Sequence, residues 1–174
     1  MSIEREIKYL IKPKELMTFK AYLNIRDTSK IIVRQGYINE ARIREYGDTH
    51  LFSWKLRLSK IASYEVEQVL SQEDFELLWK KCTDKHTKYR YTINDIPGTK
   101  LDIDFFYKNP WEDPYIGTVE AELQTGTELV DLKDSKYSYL NIYKYIHSEI
   151  DNSKYSSRKL GDKEYARKLL KEIS

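Results

Sequence analysis

The segment Ile3-Glu4-Arg5-Glu6-Ile7-Lys8-Tyr9 sets two carboxylates and an ammonium at every second position of an aliphatic, strand-like stretch. In an extended strand Glu4, Glu6 and Lys8 share one face. Carboxylate oxygens suit a hard divalent cation and a fixed ammonium suits a phosphate, so such a face can hold a metal ion and an anion side by side.

The same spacing recurs along the chain. Arg42 and Arg44 share a face with Ala41 and Ile43 opposite, and Lys55 and Arg57 oppose Phe52, Trp54, Leu56 and Leu58. Glu65 and Glu67 alternate with Tyr64 and Val66, and Lys88 and Arg90 with Tyr89 and Tyr91. Asp102 and Asp104 alternate with Leu101, Ile103 and Phe105, and Glu120 and Glu122 with Val119, Ala121 and Leu123. One such pair reads as the wet face of a half-buried antiparallel strand, with ion pairs of small energetic weight. Scattered surface charge has no reason to sort into like-signed pairs strand after strand, so the set points to a charged interior. A sheet closed into a barrel, apolar rows outward under helices, would line a tunnel with these groups, and eight strands leave a lumen for one small ligand.

The elements that must position them follow from periodicity. Period-two segments at 3–11, 37–46, 51–58, 63–70, 86–93, 100–107 and 117–124 predict an antiparallel, mostly β domain of α+β class spanning 1–174. A helix is expected over 14–23 behind Pro13. Another starts at Ser71, where Asp74 completes a capping box and Phe75, Leu78, Trp79 and Cys82 form the buried stripe. A third is expected over 136–149 and a fourth after Asp162. Residues 94–98, with Pro97-Gly98, form a turn between strands.

Composition narrows the class further. Lys plus Arg number 30 against 28 Asp plus Glu, so a net charge of +2 gives no basic surface for nucleic acid. The single cysteine, Cys82, excludes an internal disulfide framework and belongs to an apolar helical pattern. No apolar run marks a signal peptide or membrane span, so a cytoplasmic protein without membrane partners is expected. His50, His86 and His147 have no metal-ligand spacing, and no phosphate-binding glycine loop, GxGxxG fingerprint or GxSxG elbow is present. The tyrosines at 137, 139, 143 and 145 read as helix packing and the C-terminal basic helix as a solvated face.

The ordered series resembles the CYTH superfamily, the triphosphate tunnel metalloenzymes. Glu4-Arg5-Glu6-Ile7-Lys8 matches the ExExK motif. Ala41-Arg42-Ile43-Arg44, Phe52-Ser53-Trp54-Lys55, Glu65-Val66-Glu67, Lys88-Tyr89-Arg90, Leu101-Asp102-Ile103-Asp104 and Val119-Glu120-Ala121-Glu122-Leu123 follow in the family's order. Beyond residue 124 the likeness is loose; Tyr155-Ser156-Ser157-Arg158 is weakly similar to the closing motif.

The resemblance implies an eight-stranded antiparallel tunnel with flanking helices that binds a small-molecule triphosphate with Mg2+ or Mn2+ and hydrolyses it, as a monomer or homodimer. Metal contacts are expected from Glu4, Glu6, Asp102, Glu120 and Glu122. Phosphate contacts are expected from Lys8, Arg42, Arg44, Lys55, Arg57, Lys88, Arg90 and Arg158. Glu4, Glu6, Lys8, Glu65 and Glu67 would carry catalysis, a carboxylate such as Glu65 or Glu67 orienting the attacking water. For Arg57 and Asp104 a place in an ion-pair ladder is an equal expectation. Inorganic tripolyphosphate is the expected substrate. A cyclase acting on ATP, a thiamine triphosphatase and a non-catalytic polyphosphate or nucleotide binder stay open as alternatives.

Overall fold

The computed structural model describes residues 2–109, 111–124, 131–151 and 153–173. Among them lie nine strands: β1 (Ser2–Ile11), β2 (Lys30–Ile38), β3 (Ala41–Tyr46), β4 (Thr49–Arg57), β5 (Ala62–Val69), β6 (Asp84–Ile96), β7 (Thr99–Tyr107), β8 (Ile116–Leu123) and β9 (Ile146–Glu149). All pairings are antiparallel, in the order β5-β4-β3-β2-β6-β7-β8-β1, and β1 also pairs with β5. The first eight strands therefore close into a barrel, and β9 lies outside against β1.

Tight turns set the registers. Asn39 (φ 52°), Gly47 (φ 57°) and Gly98 (φ 68°) adopt the left-handed conformation in the β2–β3, β3–β4 and β6–β7 turns, which suits short hairpins. The expected strand over 37–46 is therefore two strands, broken at Asn39-Glu40. The strand β2 was not expected over Lys30–Gly36, because its inward residues Val33 and Gln35 carry no charge and its charges, Lys30 and Arg34, fall on the opposite face.

Barrel closure requires β1 to be paired along both edges. One edge meets β8 through Arg5–Leu10, whereas β5 pairs only with Ser2–Arg5 before diverging. The strand β9 takes over from there, pairing Glu149 with Tyr9 and Ile146 with Ile11. Buried backbone groups must find partners, and this strand satisfies those that β5 leaves. The helix expected over 136–149 is thus absent. Ser135–Leu140 and Ile142–Lys144 form 3-10 turns, Asn141 (φ 55°) turns left-handed between them, and the chain then extends as β9.

The other helices form as expected. Pro13–Glu15 makes a 3-10 turn leading into α1 (Leu16–Ile25). In α2 (Gln72–Lys81) the Ser71 hydroxyl accepts from the Asp74 amide, and in α4 (Lys163–Ile173) the Asp162 carboxylate accepts from the amides of Glu164 and Tyr165.

The apolar sides of the strands pack outward in two places, and a third cluster sits on the inward side at one end of the barrel. Phe19 and Leu23 of α1 are fully buried with Tyr91, Ile103 and Phe105, each contributing about 1.5–3 kcal/mol by burial. Phe75 of α2 and Cys82 pack on Ile43; a Cβ at Gly36 would meet the Cys82 Sγ at 2.6 Å, so strand and helix approach closely there. At one end of the barrel, α4 and the short α3 (Ser157–Leu160) bury Leu160, Ala166 and Leu169 against Leu10, Phe106 and Ile116. The expectation that helices cover every outward row fails on β4, where Trp54, Leu56 and Leu58 stay exposed. No helix among the described residues is long and apolar enough to cross a membrane.

Candidate active site

Every charged pair read from the sequence faces the barrel interior, because each is set on a strand whose alternate residues pack outward. They line a cavity of about 540 Å3. Glu4, Glu6 and Lys8 come from β1, Arg42 and Arg44 from β3, Lys55 and Arg57 from β4, Glu65 and Glu67 from β5, Lys88 and Arg90 from β6, Asp102 from β7, and Glu120 and Glu122 from β8. Arg158 reaches it from α3, bonding the Asp84 carboxylate and the Asn39 carbonyl. Register explains the grouping: Glu6 lies opposite Glu122, and Lys8 opposite Glu120, which in turn lies opposite Asp102.

On one wall, carboxylates surround a lysine. The Lys55 Nζ lies 2.9 Å from Glu4, 3.3 Å from Glu6 and 3.6 Å from Glu65. Burial, followed by a hydrogen bond with Glu65, raises the Glu4 carboxyl to about 7. Glu65 is held low despite its burial, because Arg42 (2.5 Å), Lys55 and Arg44 stabilise its charge. Arg57 sits nearer solvent, 3.4 Å from Glu6 and bonded to the Lys60 carbonyl.

The opposite wall is a tight ladder. Asp104, fully buried, accepts from Lys88 at 2.6 Å and from both Nε and Nη2 of Arg90 at 2.7 Å. Asp102 takes the other Arg90 branch at 2.8 Å and the Thr92 hydroxyl, and Glu120 takes Lys8 at 2.5 Å. Burial lowers Lys88 to about 8 even beside Asp104. Asp104 lies beneath the cavity surface, so of its two expected roles the structure places it in the ladder.

Between the walls, Arg44 bonds Glu67 and approaches Glu65, yet its buried Nε has no hydrogen-bond partner among the described residues. Burial, followed by repulsion from Arg42, pushes its guanidinium pKa down. A buried cation with a donor to spare is a place where an anion gains more than it would in water.

Sequence reasoning missed Tyr37, Ser53, Thr92, Lys100, Ser156 and Ser157, all of which line the cavity. Lys100 had a signal: it shares parity with Asp102 and Asp104, and its ammonium lies 2.7 Å from Glu122 and 3.2 Å from Asp102. Tyr37 had a misleading one, because a continuous strand over 37–46 sets it on the side of Ala41 and Ile43, and the turn at Asn39-Glu40 brings it to the inner face.

Whether a divalent cation fits is decided by the donor set. Among the described residues no three carboxylate, histidine or cysteine groups are already arranged to hold a metal ion. The chemistry nevertheless fits a hard cation, since Glu4, Glu6 and Glu65 present carboxylate oxygens together on one wall of the cavity.

No family model matches the chain, and no curated protein does. Solved structures do match. The inorganic triphosphatase NE1496 is 18% identical, with a TM-score of 0.51 over 92% of this chain and 95% of that one. A putative adenylyl cyclase from Hippeastrum, HpAC1, described as having a dominant triphosphatase activity, is 14% identical with a TM-score of 0.51 over 83% and 87%. PH1819 from Pyrococcus horikoshii is 16% identical with a TM-score of 0.51 over 84% and 93%. At these identities the likeness is one of fold: the chain has the closed eight-stranded antiparallel barrel that these structures share.

Proposed function

We propose that the tunnel binds a small-molecule triphosphate together with Mg2+ or Mn2+ and hydrolyses it, with inorganic tripolyphosphate the preferred substrate. The observation that carries this reading is the convergence of Lys8, Arg42, Arg44, Lys55, Lys88 and Arg90 with Glu4, Glu6, Glu65, Glu120 and Glu122 on one cavity of about 540 Å3. The naming of one structural neighbour as an inorganic triphosphatase, and of another as dominantly a triphosphatase, supports it.

The ion pairs suggest how binding works. In the ligand-free tunnel nearly every cation is held by a carboxylate, so an entering triphosphate competes with Glu65, Glu67 and Glu120 for Arg42, Arg44 and Lys8. The carboxylates so released carry charge that needs a new partner. Glu4 and Glu6, with Asp102, Glu120 and Glu122 across the barrel, would hold the divalent cation, which neutralises phosphate charge and polarises the bond to be broken. Ligand and metal then favour each other by linkage. Arg42, Arg44 and Arg90 grip phosphate oxygens in forked geometry and Lys8, Lys55 and Lys88 as point charges.

Proton transfer to a carboxylate requires basicity. Glu65, held well below the usual range by Arg42 and Lys55, serves this reading better as the group that positions them. Glu4, raised to about 7 in the absence of metal, would give up its proton when the divalent cation binds and so belongs with Glu6 in holding it. Glu67, at the more exposed end of the pair, orients Arg44.

The test is product analysis after incubation with tripolyphosphate, ATP and thiamine triphosphate, each with Mg2+ or Mn2+. Pyrophosphate plus orthophosphate from tripolyphosphate, faster than any product from ATP, supports the proposal. Cyclic AMP with pyrophosphate from ATP would make the chain a cyclase, and no turnover of any of the three would leave a binding module.

A further inference from the structure

Lys100 lines the tunnel, yet its ammonium is engaged by carboxylates that the proposed function needs for a metal ion. It lies 2.7 Å from Glu122 and 3.2 Å from Asp102, bridging neighbouring strands. Register sets this up. Lys100 is directly opposite Glu122, which is opposite Glu6, and the next row across the same strands is Asp102, Glu120 and Lys8. Two adjacent rows thus hold four carboxylates, with Lys8 and Lys100 at diagonal corners.

The two lysines are not equivalent. The side chains of Lys8 and its partner Glu120 are 5% and 15% exposed, whereas those of Lys100 and Glu122 are each 43% exposed, so the Lys100 row is the one nearer solvent. Pulling a deeply buried ammonium off its carboxylate leaves uncompensated charge. Lys100 meets no such penalty, because its flexible four-carbon stem and half-exposed head can swing into water or onto another anion. Asp102 keeps its place when Lys100 leaves, held by Arg90 at 2.8 Å and by the Thr92 hydroxyl. Burial works against the charge on Lys100, but Asp102 and Glu122 hold its pKa above the ordinary lysine value, so a competitor must displace a cation and not a neutral amine.

We propose that Lys100 is a tethered counter-ion of the tunnel: in the ligand-free protein it competes with a divalent cation for Asp102 and Glu122, and once displaced it contacts the triphosphate at the open end. This role rests on the tunnel being a metal-dependent triphosphate site, and adds that metal affinity is kept low until a triphosphate takes up the ammonium. Metal and substrate then load cooperatively through Lys100. A lysine that merely braced β7 against β8 would move neither affinity in this way.

The test compares the wild-type protein with Lys100→Met, which keeps the stem and removes the charge, and with Lys100→Arg, which keeps the charge. Binding of Mn2+ without triphosphate is followed by loss of the free-ion electron paramagnetic resonance signal. Lys100→Met should bind Mn2+ roughly tenfold more tightly than the wild-type protein, since the two half-exposed ion pairs no longer have to be broken. Lys100→Arg should bind it no more tightly than the wild-type protein. Turnover of tripolyphosphate at saturating Mg2+ should move the other way, with KM rising roughly fivefold in Lys100→Met, kcat little changed, and Lys100→Arg close to the wild-type value. Equal Mn2+ affinity in the wild-type protein and Lys100→Met, tightening in Lys100→Arg as well, or an unchanged KM overturns the role of Lys100 and leaves the metal reading standing. Absence of Mn2+ binding by the wild-type protein and both variants overturns the two together.

Discussion

The two walls of the tunnel are built from the same residue types and differ in how their charges are balanced. On the β1–β4–β5 wall, Glu4, Glu6 and Glu65 converge on Lys55, and burial beside Glu65 holds the Glu4 carboxyl up at about 7. On the β6–β7–β8 wall, Asp104 is shared by Lys88 and Arg90, and Asp102 and Glu120 complete a ladder in which each charge has close partners. Burying a charge is tolerable only when it is paired, so the second wall is a solved structural problem, whereas the first is left in tension. Tension of that kind is relieved by binding. On the proposed function, Asp104 anchors its wall while Glu4 and Glu6 exchange partners when ligand binds, although all three are carboxylates pointing into one barrel.

The largest expected effect tests the anchoring side. Asp104→Asn removes the anion from between two buried cations and should cost about 3–5 kcal/mol of folding stability, the range for breaking a buried pair. Chemical denaturation of the ligand-free protein measures it. If stability were unchanged while triphosphate turnover vanished, Asp104 would belong with the ligand-exchanging groups and the contrast between walls would collapse.

Next comes the cation that neither wall fully satisfies. Arg44→Ala should weaken tripolyphosphate binding by roughly 2–4 kcal/mol, since a charge-assisted contact in a low-dielectric site is lost. Removing a guanidinium that repels Arg42 should leave the ligand-free fold intact or slightly firmer. Calorimetric titration with tripolyphosphate gives the first number and a thermal melt the second. Unaltered affinity would mean that the triphosphate lies along the ladder and not between the walls.

Glu4→Gln addresses the strained wall directly. The amide preserves shape and loses charge, so turnover with Mg2+ should fall roughly a hundredfold, comparable to removal of one electrostatic stabiliser of a transition state. The fold should survive, because Glu65 keeps Arg42 and Lys55 as partners. Full turnover in the variant, or in the wild-type protein with EDTA present, would end the metal reading.

The contrast between walls was only partly legible in the sequence. That the charged pairs face inward could be read from parity alone, since alternation with Ile103, Phe105, Val119 and Ala121 leaves no other side for the core. Which carboxylates would be neutralised could not, because that depends on register: Lys55 falls opposite Glu65, and Arg90 opposite Asp104. The first part of β2 escaped because its inward side offers Val33 and Gln35 in place of charges, and without it the hairpin at Asn39-Glu40 read as one continuous strand. The helix expected over 136–149 failed for a different reason: local spacing of Tyr137, Leu140 and Tyr143 favoured a helix, but an unpaired stretch of β1 elsewhere in the chain captured Ile146–Glu149 as a strand. Pairing demands of that kind are non-local and leave no trace in the window being read.

The smallest expected effect is a pH dependence, and its sign separates the walls. Glu4 has its folded pKa raised to about 7 from an ordinary 4.5, so its contribution to stability is fully present below pH 4.5 and is lost as pH rises through about 7. Glu65 runs the other way. Held down by Arg42 and Lys55, its contribution is present above pH 4.5 and is lost only in strong acid. Gln at position 4 cannot ionise, so the stability of Glu4→Gln relative to the wild-type protein should climb between pH 5 and pH 8, as the wild-type carboxylate is forced to ionise beside Glu65. Denaturation of both proteins across that range, without metal, measures the difference. Added Mg2+ should shrink the climb, because a divalent cation stabilises the ionised carboxylates. A stability difference that stays flat with pH would mean that burial beside Glu65 does not hold the Glu4 carboxyl up, and the strain attributed to their wall would have to come from Lys55 and Glu6 alone.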